Sequence, residues 1–165
     1  MKYPIPHSGE LEINTIVLDL NGTLSVKGKI DKGVKPRITK LKKLGIEVIL
    51  FTGDQRRLAS KLCKKLGIKF TKADSSEEKE KLFLQLDTKT TAAIGNARID
   101  IGKFKHAALS IATLQSEGIH TAILPYIDII VPSINDALDL FIDGDSMKAT
   151  MRKGDGKNKK PIYLS

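Results

Sequence analysis

The sequence predicts an α/β fold: a doubly wound, Rossmann-like sheet, mostly parallel, with helices on both faces and no cap domain. Three observations carry this. Short apolar runs alternate with segments whose apolar residues recur every three or four positions, the pattern of strand–helix–strand units. The pentapeptide Lys-Lys-Leu-Gly-Ile occurs twice, at 42–46 and 64–68, each time where a helical pattern gives way to a strand. Only residues 19–33 lie between the first strand and the first helix, too few for an inserted lid domain.

The elements follow in order. Residues 13–18 read as a first strand ending at Asp19. Val34, Ile38, Leu41 and Leu44 then recur at helical spacing, with Pro36 tolerable in a first turn. Gly45 stops that helix and residues 46–51 form the next strand. Leu58, Leu62 and Leu66 share a face of a second helix, ended by Gly67, and Cys63 beside that stripe reads as core. Ser75-Ser76-Glu77-Glu78 has capping-box spacing and opens a third helix carrying Leu82, Phe83 and Leu86. Residues 91–94, 109–112 and 127–131 complete the strands, and Ser133 with Asp136 caps a helix that turns Ala137, Leu138 and Phe141 inward. The domain is expected to span residues 1–143, with 144–165 a basic, flexible tail that holds at most a short helix near Met147 to Arg152.

Composition narrows the function classes. At 165 residues, 41% apolar and 28% charged, the chain is one ordinary globular domain without need of disulfides or structural metal. The longest uncharged stretch, 106–116, is 11 residues, below the roughly 18 of a spanning helix. No apolar signal core opens the sequence, and the lone Cys63 suits a reducing compartment, so a cytoplasmic protein without membrane association is expected. The net charge of +9 suggests a polyanion partner, but its distribution argues against nucleic acid. The last twenty residues hold six of the lysines and arginines against Asp155 alone. Most of the remainder lies on helix faces, and only 5% aromatics leaves little for bases to stack on. His7, His106 and His120 share no ligand spacing.

Open α/β sheets bind ligands at the carboxyl ends of their strands. Three such ends are unusual: Asp19-Leu20-Asn21-Gly22-Thr23-Leu24 after the first strand, Thr52-Gly53-Asp54 after the second, and Gly95-Asn96-Ala97-Arg98-Ile99-Asp100 after the 91–94 strand. Brought to one edge, they offer two carboxylates, small hydroxyls and glycine-exposed amides, which suit a divalent cation with a phosphoryl group. Each segment alone is ordinary turn chemistry; the three in order are a strong signal. Asp54 reads as a helix cap, and Gly22 as a turn needing backbone freedom or close approach to a ligand.

These same segments resemble the haloacid dehalogenase-like superfamily, which includes phosphatases and P-type ATPases. Asp19-Leu20-Asn21-Gly22-Thr23 is similar to its DxDGT/DKTGT signature, Thr52-Gly53-Asp54 to the TGD segment of P-type ATPase phosphorylation domains, and 95–100 to their GDGxND segment. The resemblance runs from about residue 13 to 141 and is nearest to single-domain, capless proteins like the P-type ATPase phosphorylation domain. It implies that Asp19 is the nucleophile that becomes an aspartyl phosphate. It assigns the phosphoryl oxygens to Thr52, Gly53 and Gly22. It places Mg²⁺ on Asp19, the residue 21 carbonyl, Asn96 and Asp100. The family also requires a lysine that opens a helix with apolar residues three, four and seven positions on. Lys79 meets this through Leu82, Phe83 and Leu86, whereas Lys72 and Lys81 are the less suitable candidates.

The departures bear on rate. Phosphatases of this kind carry a second aspartate where this chain has Asn21, which cannot move protons; losing such a group costs on the order of 10²–10⁴ in rate. Asn96 replaces an aspartate and Ile99 an asparagine, so Mg²⁺ is expected to bind more weakly than in a typical relative. The expected activity is a slow Mg²⁺-dependent phosphohydrolase or phosphotransferase acting on a phosphorylated substrate of unstated identity. The other readings are a weakened relative that binds a phospho-ligand or partner protein, and a phosphoenzyme switch. A bare site admits bulk water, so either a large substrate or, as the favoured expectation, a second subunit of a homo-oligomer covers it.

Overall fold

The backbone path follows the apolar pattern. A computed structural model describes residues 1–53 and 58–153; Asp54 and residues 154–165 lie outside the described residues. Six parallel strands form one sheet: β3 (Thr15–Leu18), β4 (Glu47–Thr52), β5 (Lys69–Lys72), β6 (Thr91–Gly95), β7 (Leu109–Thr113) and β8 (Ile129–Val131). Their order is β5-β4-β3-β6-β7-β8, so the direction of winding reverses beside β3. Leu18 pairs with Leu50 on one side and Ile94 on the other, which sends the segments after β3, β4 and β6 out of the same edge.

Helices cover both faces. On one face, α1 (Val34–Lys43), α2 (Leu58–Leu66) and α5 (Ile134–Ile142) pack Ile38, Leu41, Cys63, Leu138 and Phe141 against Ile16, Leu18, Leu50, Ile94 and Ile111. On the other, α3 (Ser76–Phe83), α4 (Ile101–Phe104) and a 3₁₀ segment at Thr121–Tyr126 bring Phe83, Phe104 and Ile123 onto Val17, Ile49, Phe51, Ala93 and Ala112. Two caps act as their spacing predicts: Ser75 accepts from the Glu78 amide at 3.1 Å, and Ser133 from the Asp136 amide at 3.2 Å. No helix among the described residues is long and apolar enough to cross a membrane.

Three features depart from the sequence reading. An N-terminal hairpin, β1 (Lys2–Ile5) with β2 (Gly9–Glu12), pairs antiparallel outside the main sheet, and the first central strand begins at Thr15 rather than Ile13. β5 follows the helix-to-strand junction expected at 64–68 and takes an edge of the sheet, and the last strand is shorter than expected, Ile129–Val131. The stretch assigned to the tail from residue 144 begins with helix α6 (Gly144–Met151), capped by Asp143 and anchored by the fully buried Met147. The packed structure therefore extends past residue 143 by one helix.

Candidate active site

The loop after β3 is locked from two neighbouring strands. The Asp19 amide donates to the Ile94 carbonyl of β6 at 3.1 Å, and the Asp19 carbonyl accepts from Leu24 at 3.2 Å. Gly22 sits at φ +73, and a Cβ there would fall 2.3 Å from Asn96 Nδ2, so both conformation and contact demand glycine. Its carbonyl accepts from Thr113 Oγ1 at 3.2 Å and Gln115 Nε2 at 3.1 Å, both at the end of β7. Gln115 Nε2 donates to the Thr23 carbonyl as well, at 2.5 Å. Thr23 Oγ1 donates to Asn96 Oδ1 at 3.3 Å, while Asn96 Nδ2 donates to the Gly118 carbonyl at 2.9 Å.

A buried cluster of four charges lies behind this loop. Lys79 Nζ, from α3, is 2.5 Å from Asp19 Oδ1 and 2.9 Å from Asp100 Oδ1. Lys103, from α4, places its Nζ 3.0 Å from the same Asp100 Oδ1 and 2.7 Å from the Ile94 carbonyl. Asp100 Oδ2 accepts from the amides of Asn96 and Ala97, each at 3.1 Å. Asp100 and Lys103 are wholly buried, whereas Asp19 keeps 7% exposure.

The environment splits the acids. Burial and the nearby Asp100 carboxylate push the Asp19 carboxyl above its ordinary value, against the pull of Lys79 and Lys103. Burial acts to raise Asp100 too, but the ammoniums of Lys103 and Lys79 outweigh it and hold that carboxyl low. Burial works against the charge of Lys79, yet Asp100 and Asp19 more than compensate and raise it. For Lys103 burial prevails and its ammonium is lowered.

Asp19, Lys79 and Asp100 are thus brought into direct contact. Asn96 adjoins them through its backbone amide, which donates to Asp100 Oδ2, while its side-chain amide is held by Thr23 and Gly118. Asn21 is exposed on the loop, bridged to Ser25. Thr52 ends β4 and is buried, with its carbonyl accepting from Ala73. Gly53 follows it, and a Cβ there would meet Asp74 Oδ1 at 2.9 Å. Lys72 and Lys81 stay on the surface, Lys72 paired with Asp74 at 2.9 Å.

Sequence reasoning missed Lys103, Thr23, Thr113 and Gln115. The end of β7 is a carboxyl end like the other three, so the strand-end argument could have found Thr113 and Gln115. Lys103 offered no signal beyond its position three residues after Asp100, one helical turn away on the same face.

In donor type the site suits Mg²⁺. The Oδ1 atoms of Asp19 and Asp100 both lie within 2.9 Å of Lys79 Nζ, so the two carboxylates converge. The expected partners, the Asn96 amide oxygen and the residue 21 carbonyl, are oxygens too, the donor type a hard cation requires. The set is poor in charge: among the described residues no three His, Cys, Asp or Glu side chains are grouped to hold a metal.

The family profile of haloacid dehalogenase-like hydrolases matches residues 16–75, the stretch that carries Asp19, Thr52 and Gly53. A soluble P-type ATPase-like phosphatase of Methanocaldococcus jannaschii is 25% identical over 139 residues, 81% of this chain. The chain spans about half the length, 51%, of that relative. An uncharacterised protein of the same organism is 38% identical over 73 residues, 44% of this chain and 78% of its own. Among solved structures, the cobalt-bound deoxy-D-mannose-octulosonate 8-phosphate phosphatase of Haemophilus influenzae superposes with TM-score 0.70 at 16% identity, covering 86% of this chain and 94% of that one. The 3-deoxy-D-manno-octulosonate 8-phosphate phosphatase of Moraxella catarrhalis, in complex with magnesium, phosphate and KDO, gives TM-score 0.68 at 18% identity, covering 85% and 94%. At these identities the structural likeness establishes the fold.

Proposed function

The chain belongs to the haloacid dehalogenase-like hydrolases, and from that premise we propose a slow, Mg²⁺-dependent phosphohydrolase or phosphotransferase that works through an aspartyl phosphate on Asp19. The observation that carries it is the Lys79 ammonium seated between two carboxylates, Asp19 and Asp100, at the edge where β3 and β6 end. The Lys79 ammonium pulls Asp19 toward its carboxylate form, against burial and Asp100, and a carboxylate can act as nucleophile without an activating base.

In the first step an Asp19 carboxylate oxygen attacks phosphorus and the bond from phosphorus to the leaving oxygen breaks. Asn21 has no proton to give, so the leaving oxygen takes one from solvent. In the second step water attacks the phosphorus of the acyl phosphate, inorganic phosphate leaves and the Asp19 carboxylate is restored; an acceptor alcohol in place of water makes the reaction a transfer. Lys79 offsets negative charge between nucleophile and phosphoryl group. Thr52, Gly53 and Gly22 are assigned the phosphoryl oxygens, while Thr113 and Gln115, donating to the Gly22 carbonyl, keep the loop in shape. Mg²⁺, held by Asp19, Asp100, Asn96 and the residue 21 carbonyl, would neutralise phosphoryl charge when bound.

The test is turnover of an aryl phosphate with Mg²⁺, paired with acid quenching to trap the phosphoenzyme. Wild type is expected to exceed D19N and to accumulate an acid-stable adduct on Asp19. An adduct without turnover would point to the switch; neither adduct nor turnover would sink the proposal and leave a phospho-ligand or partner-binding protein.

A further inference from the structure

Lys103 has no part in the scheme above, yet it is among the largest fully buried side chains of the protein. A lysine is rarely wholly buried, and burying one is costly unless its charge is matched. Beside the Phe104 ring, 5.5 Å from Nζ to its centroid, two polar contacts say what it is matched to. One is Asp100 Oδ1, at 3.0 Å. The other is the Ile94 carbonyl, at 2.7 Å, which also accepts the amide of Asp19 at 3.1 Å. Lys103 therefore touches the backbone partner of the proposed nucleophile and the carboxylate of its neighbour, without contacting the Asp19 side chain.

This arrangement engages both oxygens of Asp100. Its Oδ2 serves two backbone amides and its Oδ1 serves two ammoniums. With all four groups ionised, two carboxylates facing two ammoniums leave the cluster without net charge. A divalent cation entering alone would raise it to about two positive charges in a buried setting, where like charges repel strongly. A phosphoryl dianion arriving with the cation would restore the balance.

We propose that Lys103 is a positioning residue that fixes Asp100 against β6 and, by cancelling its charge, keeps divalent-cation affinity low until a phosphoryl group enters. The inference rests on the phosphoryl-transfer reading for its purpose, but its physical content is a binding property that can be measured without substrate.

The experiment is calorimetric titration of the full chain with Mg²⁺ alone, comparing wild type with K103M and with K103Q, which keeps a hydrogen-bond donor but no charge. Both variants are expected to bind Mg²⁺ about tenfold more tightly, the scale set by removing one charge a few ångströms from a divalent cation. Inorganic phosphate is expected to raise Mg²⁺ affinity in wild type. Folded variants whose affinity stays within about twofold of wild type, or falls, would overturn the proposal, since a merely structural lysine leaves cation affinity untouched. Should circular dichroism show that neither variant folds, the wild-type protein decides: the ¹⁵Nζ resonance of Lys103 is expected to move on Mg²⁺ addition, and its indifference overturns the proposal. A chain that never forms a phosphoenzyme fails the preceding test yet still shows these shifts, so the two failures are distinguishable.

Discussion

An amide at position 21 can hydrogen-bond but holds no titratable proton, so protonation of a leaving group and activation of water fall to solvent. N21D restores a carboxyl at an exposed position where ionisation is unhindered. It is expected to raise hydrolysis by about 10²-fold or more and to shorten the life of the phosphoenzyme, read by quenching at timed intervals; unchanged decay would remove Asn21 as the cause of slowness. K79M acts in the opposite sense. It takes the ammonium from between Asp19 and Asp100, and breaking a buried pair costs about 3–5 kcal/mol. Denaturant melts are expected to show that loss, together with no trapped adduct, whereas a K79M protein as stable as wild type would mean Lys103 alone neutralises the cluster. Asp19 and Asp100 were legible in the sequence because each lies in a segment that follows a strand, and Lys79 because Leu82, Phe83 and Leu86 follow it at the spacing the family resemblance implies. Lys103 was not, because within Ile101-Gly102-Lys103-Phe104-Lys105 nothing distinguishes a buried lysine from the exposed one two residues on.

Helices α3 and α4 carry the two lysines, and their approach sets where both ammoniums fall. Gly102 makes that approach close: a Cβ there would lie 2.3 Å from the Ser76 carbonyl and 2.8 Å from Glu80 Cβ. The Gly102 amide meanwhile donates to Ser76 Oγ at 3.2 Å. Because the obstacle is backbone, G102A must push the helices apart; overpacking of this kind costs about 1–3 kcal/mol. The expected outcome is a lower denaturation midpoint with reduced adduct formation, since Lys79 rides on α3. A variant equal to wild type in both would show that the helices have room to spare. The sheet's central strands and covering helices were readable from periodicity because their apolar residues face a continuous core. β1 and β2 were not: Pro4 interrupts β1 and β2 is Gly-Glu-Leu-Glu, while β5, a four-residue edge strand with Lys at both ends, was marked only by the junction at 64–68. Such strands gain stability from hydrogen bonds and neighbours rather than from an apolar pattern.

Across the molecule, the hairpin and the last helices are joined far from the candidate site. Tyr3 is fully buried and its hydroxyl donates to the Phe141 carbonyl at 2.7 Å, linking β1 to α5 across 138 positions, while β1 also packs against α6. Burial pushes the Tyr3 hydroxyl from 10.0 up to about 12 and the Cys63 thiol from 9.0 up to about 11. An acid whose folded pKa is raised keeps its proton longer in the native state, so the unfolded chain ionises first and stability falls as pH rises through that window. For Tyr3 the fall begins near pH 10 and amounts to about 2.7 kcal/mol once pH passes 12. Y3F forfeits the hydrogen bond, about 1 kcal/mol at neutral pH, but has no hydroxyl to ionise. Wild type is therefore expected to be the more stable protein at pH 7 and Y3F above about pH 11, with urea midpoints converging between. Cys63 imposes the same decline on both proteins from pH 9 and leaves their difference unchanged. Parallel curves without a crossing would show that the Tyr3 hydroxyl ionises as readily in the folded chain as in the unfolded one, and that the link between β1 and α5 is open to water.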